Sequence, residues 1–253
     1  MPTWEADQYL RFAAERTRPC RDLAARVAIE SPRRVIDLGC GPGNSTEVLA
    51  ARWPKAEVTG LDSSPKMIER ATATHPGWRW AACEIAEWSQ GEDAFDVVFS
   101  NAALQWVPDH PGLFPRLMAR VAAGGALAIQ MPGNYDAEAH RLMRAVAAHF
   151  ADTENVAEWF THGMEFYYDL LAPRATRVDL WATEYFHVMD GPEAIVEWYK
   201  GSGMRPFLDA LPGERDRERF TAEYLAAIRR GYPARPDGSV LFPFRRLFIV
   251  AYR

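Results

Sequence analysis

Cysteine is scarce in this chain, and the spacing of the cysteines excludes the usual structural uses of the residue. Only three occur in 253 residues, Cys20, Cys40 and Cys83, and none forms a CxxC pair. Disulfide frameworks and paired-cysteine zinc sites need close and usually even-numbered cysteines. We therefore expect reduced thiols, no bound metal and a reducing compartment, the cytoplasm.

Long hydrophobic runs and an excess of positive charge are missing as well. No apolar stretch approaches the roughly 20 residues that span a bilayer, and the first residues do not show the basic and apolar segments of a secretory signal. The net charge is −5, from 29 Lys and Arg against 34 Asp and Glu, whereas binding to nucleic-acid phosphates depends on basic residues. The sequence thus favours a protein with neither a membrane nor a nucleic-acid partner.

Short apolar runs instead alternate with helical patterns along the chain. Runs typical of buried strands lie at 34–39, 56–62, 78–83, 95–100, 126–131, 178–188 and 241–252. Helical patterns lie at 9–27, 44–53, 64–71 and 112–121, over most of 135–170, and in two or three segments up to about 232. This alternation implies right-handed crossovers between parallel strands. We predict an α/β fold with a doubly wound, mostly parallel, seven-stranded sheet of the Rossmann-like kind and helical caps.

The rhythm of the pattern changes after Pro132, which suggests three parts. We expect an N-terminal helical lid at 1–29, a cofactor-binding α/β core at 30–132, and a third region at 133–253. The third region supplies helical insertions, the last two strands and a cap over the substrate. Insertions of this kind close over ligands in many enzymes.

A glycine-rich loop follows the first predicted strand. Glycines between a buried strand and a helix let the backbone approach a ligand closely. The candidate contacts here are Gly39, Cys40, Gly41, Gly43 and Asn44. Asp37, two residues before the first glycine, indicates the charge of the ligand. A carboxylate about 5 Å from a pyrophosphate costs roughly 3 kcal/mol at an effective dielectric near 20. The ammonium and sulfonium of S-adenosylmethionine suit it better.

Acidic residues also follow the second and third predicted strands. Asp62 comes 19 residues after Gly43, where α/β nucleotide sites offer a carboxylate to ribose hydroxyls. The alternative role for Asp62 is to cap the next helix. Glu84 and Ile85 are candidates for the exocyclic amine and the face of adenine, although a loop glutamate is often simply solvated.

Asn101 and Ala102 end the fourth predicted strand, and Gln105 follows in the next loop. Open α/β sheets bind their ligands outside the carboxyl ends of the strands. We therefore add these three residues to the predicted cofactor contacts.

Three segments together resemble the successive cofactor motifs of class I methyltransferases in order and spacing. The segments are Asp37-Leu-Gly-Cys-Gly-Pro-Gly43, Leu61-Asp-Ser-Ser-Pro-Lys-Met67 and Asp96-Val-Val-Phe-Ser-Asn-Ala-Ala-Leu-Gln-Trp106. The resemblance covers 30–132. It implies S-adenosylmethionine as cofactor and places Ser63 and Met67 among its contacts. Glu84 stands where the family often has Asp.

Segments spread over nearly the full length of the chain resemble one branch of that family, whose members esterify one carboxylate of trans-aconitate, a small tricarboxylate. The segments are Phe12-Ala-Ala-Glu-Arg16, Arg18-Pro19, Leu104-Gln-Trp-Val-Pro-Asp-His110, Gln130-Met-Pro132, Tyr167-Tyr-Asp169, Met204-Arg-Pro-Phe207 and Arg246-Leu-Phe-Ile-Val-Ala251. The resemblance implies a cytoplasmic enzyme with a small-molecule tricarboxylate substrate.

A carboxylate acceptor changes what the protein has to supply. It is already ionised at pH 7, because its unperturbed pKa lies near 4, so we expect no catalytic acid or base. The other carboxylates need anchors, and the arginine fork matches a carboxylate best. The leading anchors are Arg205 and Arg246, with Arg16 and Arg18 on the lid and Tyr167, Tyr168, Tyr185 and His187 as further donors. Each arginine has a structural ion pair as its alternative role, and each aromatic or histidine a place in the core.

Other functions remain open at this point. The acceptor of a methyltransferase is in some cases a phenol, a quinone or an amine, which usually has to lose a proton to a base. A cofactor-binding module without catalysis is a further alternative. A dinucleotide-dependent dehydrogenase is disfavoured by Asp37.

Overall fold

The computed structural model describes residues 13–154, 156 and 159–253. Its strands are β1 (Arg34–Leu38), β2 (Glu57–Asp62), β3 (Arg79–Ala82), β4 (Phe95–Asn101), β5 (Val121–Pro132), β6 (Arg177–Met189) and β7 (Val240–Tyr252). Its helices are α1 (Ala13–Arg26), α2 (Asn44–Arg52), α3 (Pro65–Thr74), α4 (Ile85–Trp88), α5 (His110–Ala119), α6 (Glu138–Ala147), α7 (Met164–Leu171), α8 (Pro192–Lys200), α9 (Arg205–Ala210) and α10 (Glu214–Gly231). The first four residues of the helix predicted at 9–27, residues 9–12, lie outside the described residues.

The strands form one sheet in the order β3-β2-β1-β4-β5-β7-β6. The pairs β1–β2, β1–β4, β2–β3 and β4–β5 are parallel, and β7 runs antiparallel to β5. From β1, strands β2 and β3 follow on one side of the sheet, and β4, β5, β7 and β6 follow on the other. The predicted doubly wound, mostly parallel, seven-stranded sheet is confirmed.

The central strands are buried because their side chains are apolar toward both faces of the sheet. On one face, Ile36, Val98, Leu127 and Ile249 belong to a single buried cluster that also includes residues of α5 and α7. Parallel strands covered on both faces read as continuous apolar runs, which is why the central strands were visible in the sequence.

Strand β5 begins five residues earlier than the predicted Ala126. Its register against β4 shifts between the pairs Phe95–Val121 and Val97–Ala126. Gly124, with φ of 77°, lies within this irregular part of the strand. Glycines at such a bulge look like a turn in the sequence.

Two helical regions differ from the prediction. The short helix α4 was not predicted. Among the described residues of 135–170, the helical segments are α6, a 3₁₀ turn at Ala151–Thr153 and α7.

The chain forms two compact units. The first, called the sheet unit here, contains Ala14–Gly133, Phe160–Thr183 and Arg246–Arg253. The second, called the helical unit, contains Asn134–Trp159 and Glu184–Arg245, and therefore the last part of β6 and the first part of β7. The boundary between the units after residue 133 lies where the sequence pattern changes, after Pro132. Two later segments, Phe160–Thr183 and Arg246–Arg253, belong to the sheet unit.

Each unit has its own apolar interior. In the helical unit, α10 packs against α6 and α8, and its core is rich in aromatic rings such as Tyr199, Tyr224 and Phe242. Across the described part of the chain, none of the helices has the length and apolar character needed to cross a bilayer.

Candidate active site

The glycine loop after β1 is held against β2 by backbone hydrogen bonds. The amides of Gly39 and Cys40 both donate to the carbonyl of Leu61, at 2.7 and 3.0 Å. Gly39, Gly41 and Gly43 have φ values of 74°, 55° and 103°, a conformation that other residues adopt only with strain. The loop therefore turns sharply at the carboxyl end of β1 and leads directly into α2.

The three glycines differ in the space around them. A Cβ atom on Gly39 would lie 2.2 Å from the Cβ of Ala103, so this glycine allows the loop after β4 to approach β1. A Cβ on Gly41 would meet no atom within 4 Å. Gly41 therefore borders open space.

Asp37 is completely buried beneath the loop. Its Oδ2 accepts hydrogen bonds from the hydroxyls of Ser45 and Thr46, at 2.6 and 2.7 Å. Its Oδ1 has no hydrogen-bond partner among the residues that the structure describes. Burial raises the pKa of Asp37 to about 6, Ser45 and Thr46 oppose that rise, and the charge of Asp62 adds to it. A cation near Oδ1 would stabilise the ionised form of this carboxyl.

Asp62 ends β2 and is tied to backbone on both sides. Its Oδ2 accepts the amide N–H of Gly41 and its Oδ1 accepts that of Ser64, each at 2.9 Å. Burial raises its pKa, against the effect of these two bonds. The bond to Ser64 reaches the residue before α3 and not an amide of its first turn, so the capping alternative is not realised by it. Each carboxylate oxygen has a second lone pair, so the ribose role remains compatible with this geometry.

Unpartnered polar atoms gather where β4 and β5 end. Asn101 Oδ1, Gln105 Oε1 and both amide atoms of Gln130 are buried without a hydrogen-bond partner in the described part of the chain. Native proteins rarely leave buried polar atoms unsatisfied without a functional reason. Gln130 belongs to a segment that carries the family resemblance, but it was not among the predicted site residues. The available signal was a lone amide within the apolar run of β5.

The loop after β4 is fixed by local hydrogen bonds. Ala102 has φ of 55°, and its amide donates to the carbonyl of Gln130 at 2.9 Å. The Nε2 of Gln105 donates to the carbonyl of Ala102 at 2.7 Å. The His110 Nε2 lies 2.9 Å from the carbonyl of Leu104, and burial lowers the pKa of this histidine. Non-glycine residues at positive φ are strained, and such residues cluster at binding and catalytic sites. The conformation of Ala102 therefore supports a ligand site beside this loop.

The other predicted cofactor contacts lie around the same loop. Ile85 is buried, and its Cδ1 would lie 3.8 Å from a Cβ on Gly39. Met67 is buried on α3, and Glu84 is exposed just before α4. The Cys40 thiol is buried, which raises its pKa. Asn44 and Ser63 are half-buried beside Gly43 and Asp62.

Arg246 is buried in the sheet unit, where it is the partner of Pro132 at the end of β5. It lies within β7, inside the run that the sequence predicted as a strand at 241–252. Because side chains alternate along a strand, Arg246 projects to the same face as Phe248, the partner of Gln130.

Tyr167 is completely buried, which corresponds to the core position given as its alternative role. Its hydroxyl lies 3.0 Å from His110 Nδ1, accepts the amide of His162 at 3.0 Å and contacts the sulfur of Met131 at 3.9 Å. Met131 points to the face opposite to Gln130, since the two are neighbours in β5. The structure therefore does not bring the hydroxyl of Tyr167 together with Arg246. Tyr168 is 51% exposed.

The remaining predicted substrate contacts belong to other parts of the chain. In the helical unit, Arg205 pairs with Asp209 at 3.0 Å, so its alternative as a structural ion pair is realised at least in part. His187 is buried against Trp198, with ring centroids 4.9 Å apart, and stacks with the buried Tyr185. Arg18 is exposed on α1. The side chain of Arg16 lies outside the described set.

Comparison with known proteins agrees with this arrangement. A family model described as a methyltransferase domain matches residues 12–178. The YcgJ protein of Bacillus subtilis has a similar structure, with a TM-score of 0.62 at 12% identity over 93% of this chain and 98% of that one. A phosphoethanolamine N-methyltransferase 2 of Haemonchus contortus has a TM-score of 0.55 at 15% identity over 92% of this chain and 52% of that one. The fold is the class I methyltransferase fold.

Curated relatives extend the similarity over the whole length of the chain. The trans-aconitate 2-methyltransferase of Azoarcus sp. (strain BH72) is 48% identical over 257 residues, covering 100% of both chains. The protein of the same name from Variovorax paradoxus (strain S110) is 47% identical, covering 100% of this chain and 99% of the relative. The chain belongs to the trans-aconitate 2-methyltransferase family.

Proposed function

We propose that this protein is an S-adenosylmethionine-dependent O-methyltransferase that esterifies one carboxylate of trans-aconitate. The observation that carries the proposal is the 44–48% identity to proteins of that name, which extends over essentially the whole chain. Substrate choice in this fold depends on segments outside the glycine loop. Identity over the full length includes those segments.

The residues at the glycine loop fit the cofactor. Asp37 Oδ1 is a buried carboxylate atom with no partner among the described residues, and Gly41 borders open space. When bound, S-adenosylmethionine supplies a methyl group attached to a positively charged sulfur. Asp37 offers negative charge to a cationic ligand, Asp62 offers its remaining lone pairs to ribose hydroxyls, and Ile85 offers an apolar surface to adenine.

The contribution of the chain to the reaction is orientation and exclusion of water. The acceptor carboxylate is ionised at neutral pH, so no side chain has to remove a proton from it. Positioning a nucleophile about 3 Å from its target and in line with the leaving group removes much of the barrier. Neither Tyr167 nor His110 is needed as a base, and their mutual hydrogen bond holds the loop after β4 in place.

Arg246 is the anchor that we favour for a carboxylate that does not react. It is only 5% exposed, and its charge acts more strongly in such surroundings than in water. Arg205 is the weaker candidate, since Asp209 already neutralises it.

The test is incubation of the purified protein with methyl-labelled cofactor and a panel of di- and tricarboxylates, followed by mass analysis of the esters. We expect a monomethyl ester of trans-aconitate and little transfer to phenols, quinones or amines. The Asp62→Ala variant serves as the low-activity control. Tight binding of NADH without binding of S-adenosylhomocysteine would refute the proposal.

A further inference from the structure

Gln130 is a polar side chain in an otherwise apolar position. It lies in β5 between Ile129 and Met131 and is completely buried. Neither Nε2 nor Oε1 has a hydrogen-bond partner among the residues described by the structure. Burying an amide without partners is unfavourable, and an apolar residue of the same length would fill the position without that cost. The fold alone therefore does not explain a glutamine here.

The register of the sheet aligns Gln130 with the site. Gln130 is the direct partner of Asn101 across β4 and β5, and Asp37 is the partner of Phe99 across β1 and β4. Residues in register, and residues two apart in a strand, share a face of the sheet. Asp37, Asn101 and Gln130 are thus on one face, near the carboxyl ends of their strands, where α/β sheets bind ligands.

Strand β7 extends this row with an aromatic residue and a cation. Phe248 is the partner of Gln130, and Arg246 is the partner of Pro132. Both therefore share the face of Gln130. The ring of Trp181 stacks on Phe248 with centroids 4.8 Å apart, so the position across from Gln130 on β7 is aromatic. The amide thus stands between the cofactor side of the sheet, marked by Asp37, and the buried guanidinium of Arg246.

We propose that the Gln130 carboxamide binds the acceptor carboxylate that receives the methyl group, while arginine binds a carboxylate that does not react. This inference rests on the proposed function and assigns a residue to its reacting group. The Nε2 group donates to one carboxylate oxygen, which leaves the other oxygen to attack.

The charge change in the reaction explains why an amide suits this place. The acceptor oxygen forms a bond to the methyl carbon as the bond from that carbon to sulfur breaks and its electron pair returns to sulfur. The carboxylate thereby loses its negative charge. A cation on this carboxylate would stabilise it more before the reaction than at the transition state, and so would slow transfer. A neutral donor orients the group without that penalty.

The experiment compares Gln130→Met with Gln90→Met, a matched substitution at an exposed turn. For Gln130→Met we expect kcat with trans-aconitate to fall by about 10- to 100-fold, because a reacting group misplaced by about 1 Å loses up to about 10²-fold in rate, with KM changed much less. S-adenosylhomocysteine affinity should stay within about twofold, and the melting temperature of the ligand-free protein should be equal or higher, because the variant removes an unsatisfied amide. Gln90→Met should match the wild type in all four quantities.

The ester isomers provide a readout that a structural role would not move. With its reacting carboxylate no longer oriented, the Gln130→Met variant should give a mixture of monomethyl esters where the wild type gives one. Wild-type kcat and a single ester in this variant would overturn the inference and leave the proposed function intact. A lowered melting temperature with parallel loss of cofactor binding would also overturn it, as a sign of a packing role. A wild-type protein that methylates no carboxylate would overturn both.

Discussion

The Oδ2 atom of Asp62 accepts the amide N–H of Gly41 at 2.9 Å, which ties the end of β2 to the middle of the glycine loop. The same carboxylate therefore shapes the loop and faces the predicted ribose position. Loss of Asp62 should therefore weaken cofactor binding in two ways, because it frees the glycine loop and removes the predicted contact with ribose.

We expect Asp62→Ala to weaken S-adenosylhomocysteine binding by about 1–3 kcal/mol, the scale of a lost buried hydrogen-bond partner. Isothermal calorimetry measures this directly. Glu57→Ala, which removes an exposed carboxylate of the same strand that pairs with Arg79, is the control and should bind normally. An unchanged affinity for Asp62→Ala would exclude the ribose role.

Asp37 should make the stability of the ligand-free protein depend on pH. Its pKa is about 6 in the fold, against an ordinary value of 3.8. An acid with a raised folded pKa contributes stability that is full below its unfolded pKa and is lost as the pH rises through the folded one. Between pH 4 and pH 8 this loss amounts to roughly 3 kcal/mol, from about two pKa units.

The Asp37→Asn variant should therefore unfold at a higher temperature than the wild type at pH 8, and the difference should shrink toward pH 5. In the wild type, binding of the cationic cofactor should weaken below pH 6, because protonation of Asp37 removes the charge. Thermal unfolding and calorimetry across this pH range provide the two measurements. Identical pH profiles for variant and wild type would contradict the role assigned to this carboxyl.

Gly39 and Gly41 should respond differently to alanine. Gly39→Ala places a methyl group 2.2 Å from Ala103, so we expect a strongly destabilised fold. Gly41→Ala meets no neighbour, and its cost is limited to about 1–2 kcal/mol for the left-handed backbone. Its methyl group would instead occupy ligand space. We expect a folded Gly41→Ala protein with at least tenfold weaker S-adenosylhomocysteine binding; normal affinity would argue against a ligand at this glycine.

Arg246→Ala should raise the KM for trans-aconitate far more than the KM for the cofactor, because an anchor of a carboxylate contacts only the acceptor. Arg245 is the neighbouring exposed arginine in β7, and Arg245→Ala is the matched control with nearly normal kinetics. Steady-state kinetics with each substrate varied in turn make the comparison. Equal increases in both KM values would point to a general loss of structure.

The fold was largely predictable because buried parallel strands are apolar throughout. The runs that became β1, β2 and β4 needed no long-range information to be recognised. The early part of β5 could not be recognised, since a bulge with Gly124 resembles a turn until the partner strand is known. The short helix α4 has too few residues to show a period.

The candidate site was predictable where it depends on local order along the chain. The glycine loop and Asp62 follow their strands directly, so their proximity is a property of the fold class. Contacts between distant segments were not accessible. The bond between Tyr167 and His110 joins residues 57 positions apart, and no local pattern reveals it. The Arg205–Asp209 pair, four residues apart on α9, was visible in principle as a helical ion pair.

The position of β7 between β5 and β6 has a consequence for the order of folding. Strand β6 precedes β7 in the chain, yet it joins the sheet only through β7. During synthesis β6 emerges first. Its partner strand β7 is complete only after more than fifty further residues have been added. Pairings between such distant segments are slow and leave strand edges exposed. Arg246 and Phe248 enter the sheet at this late step, so the row of residues from Asp37 to Arg246 is complete only when nearly the whole chain has been made.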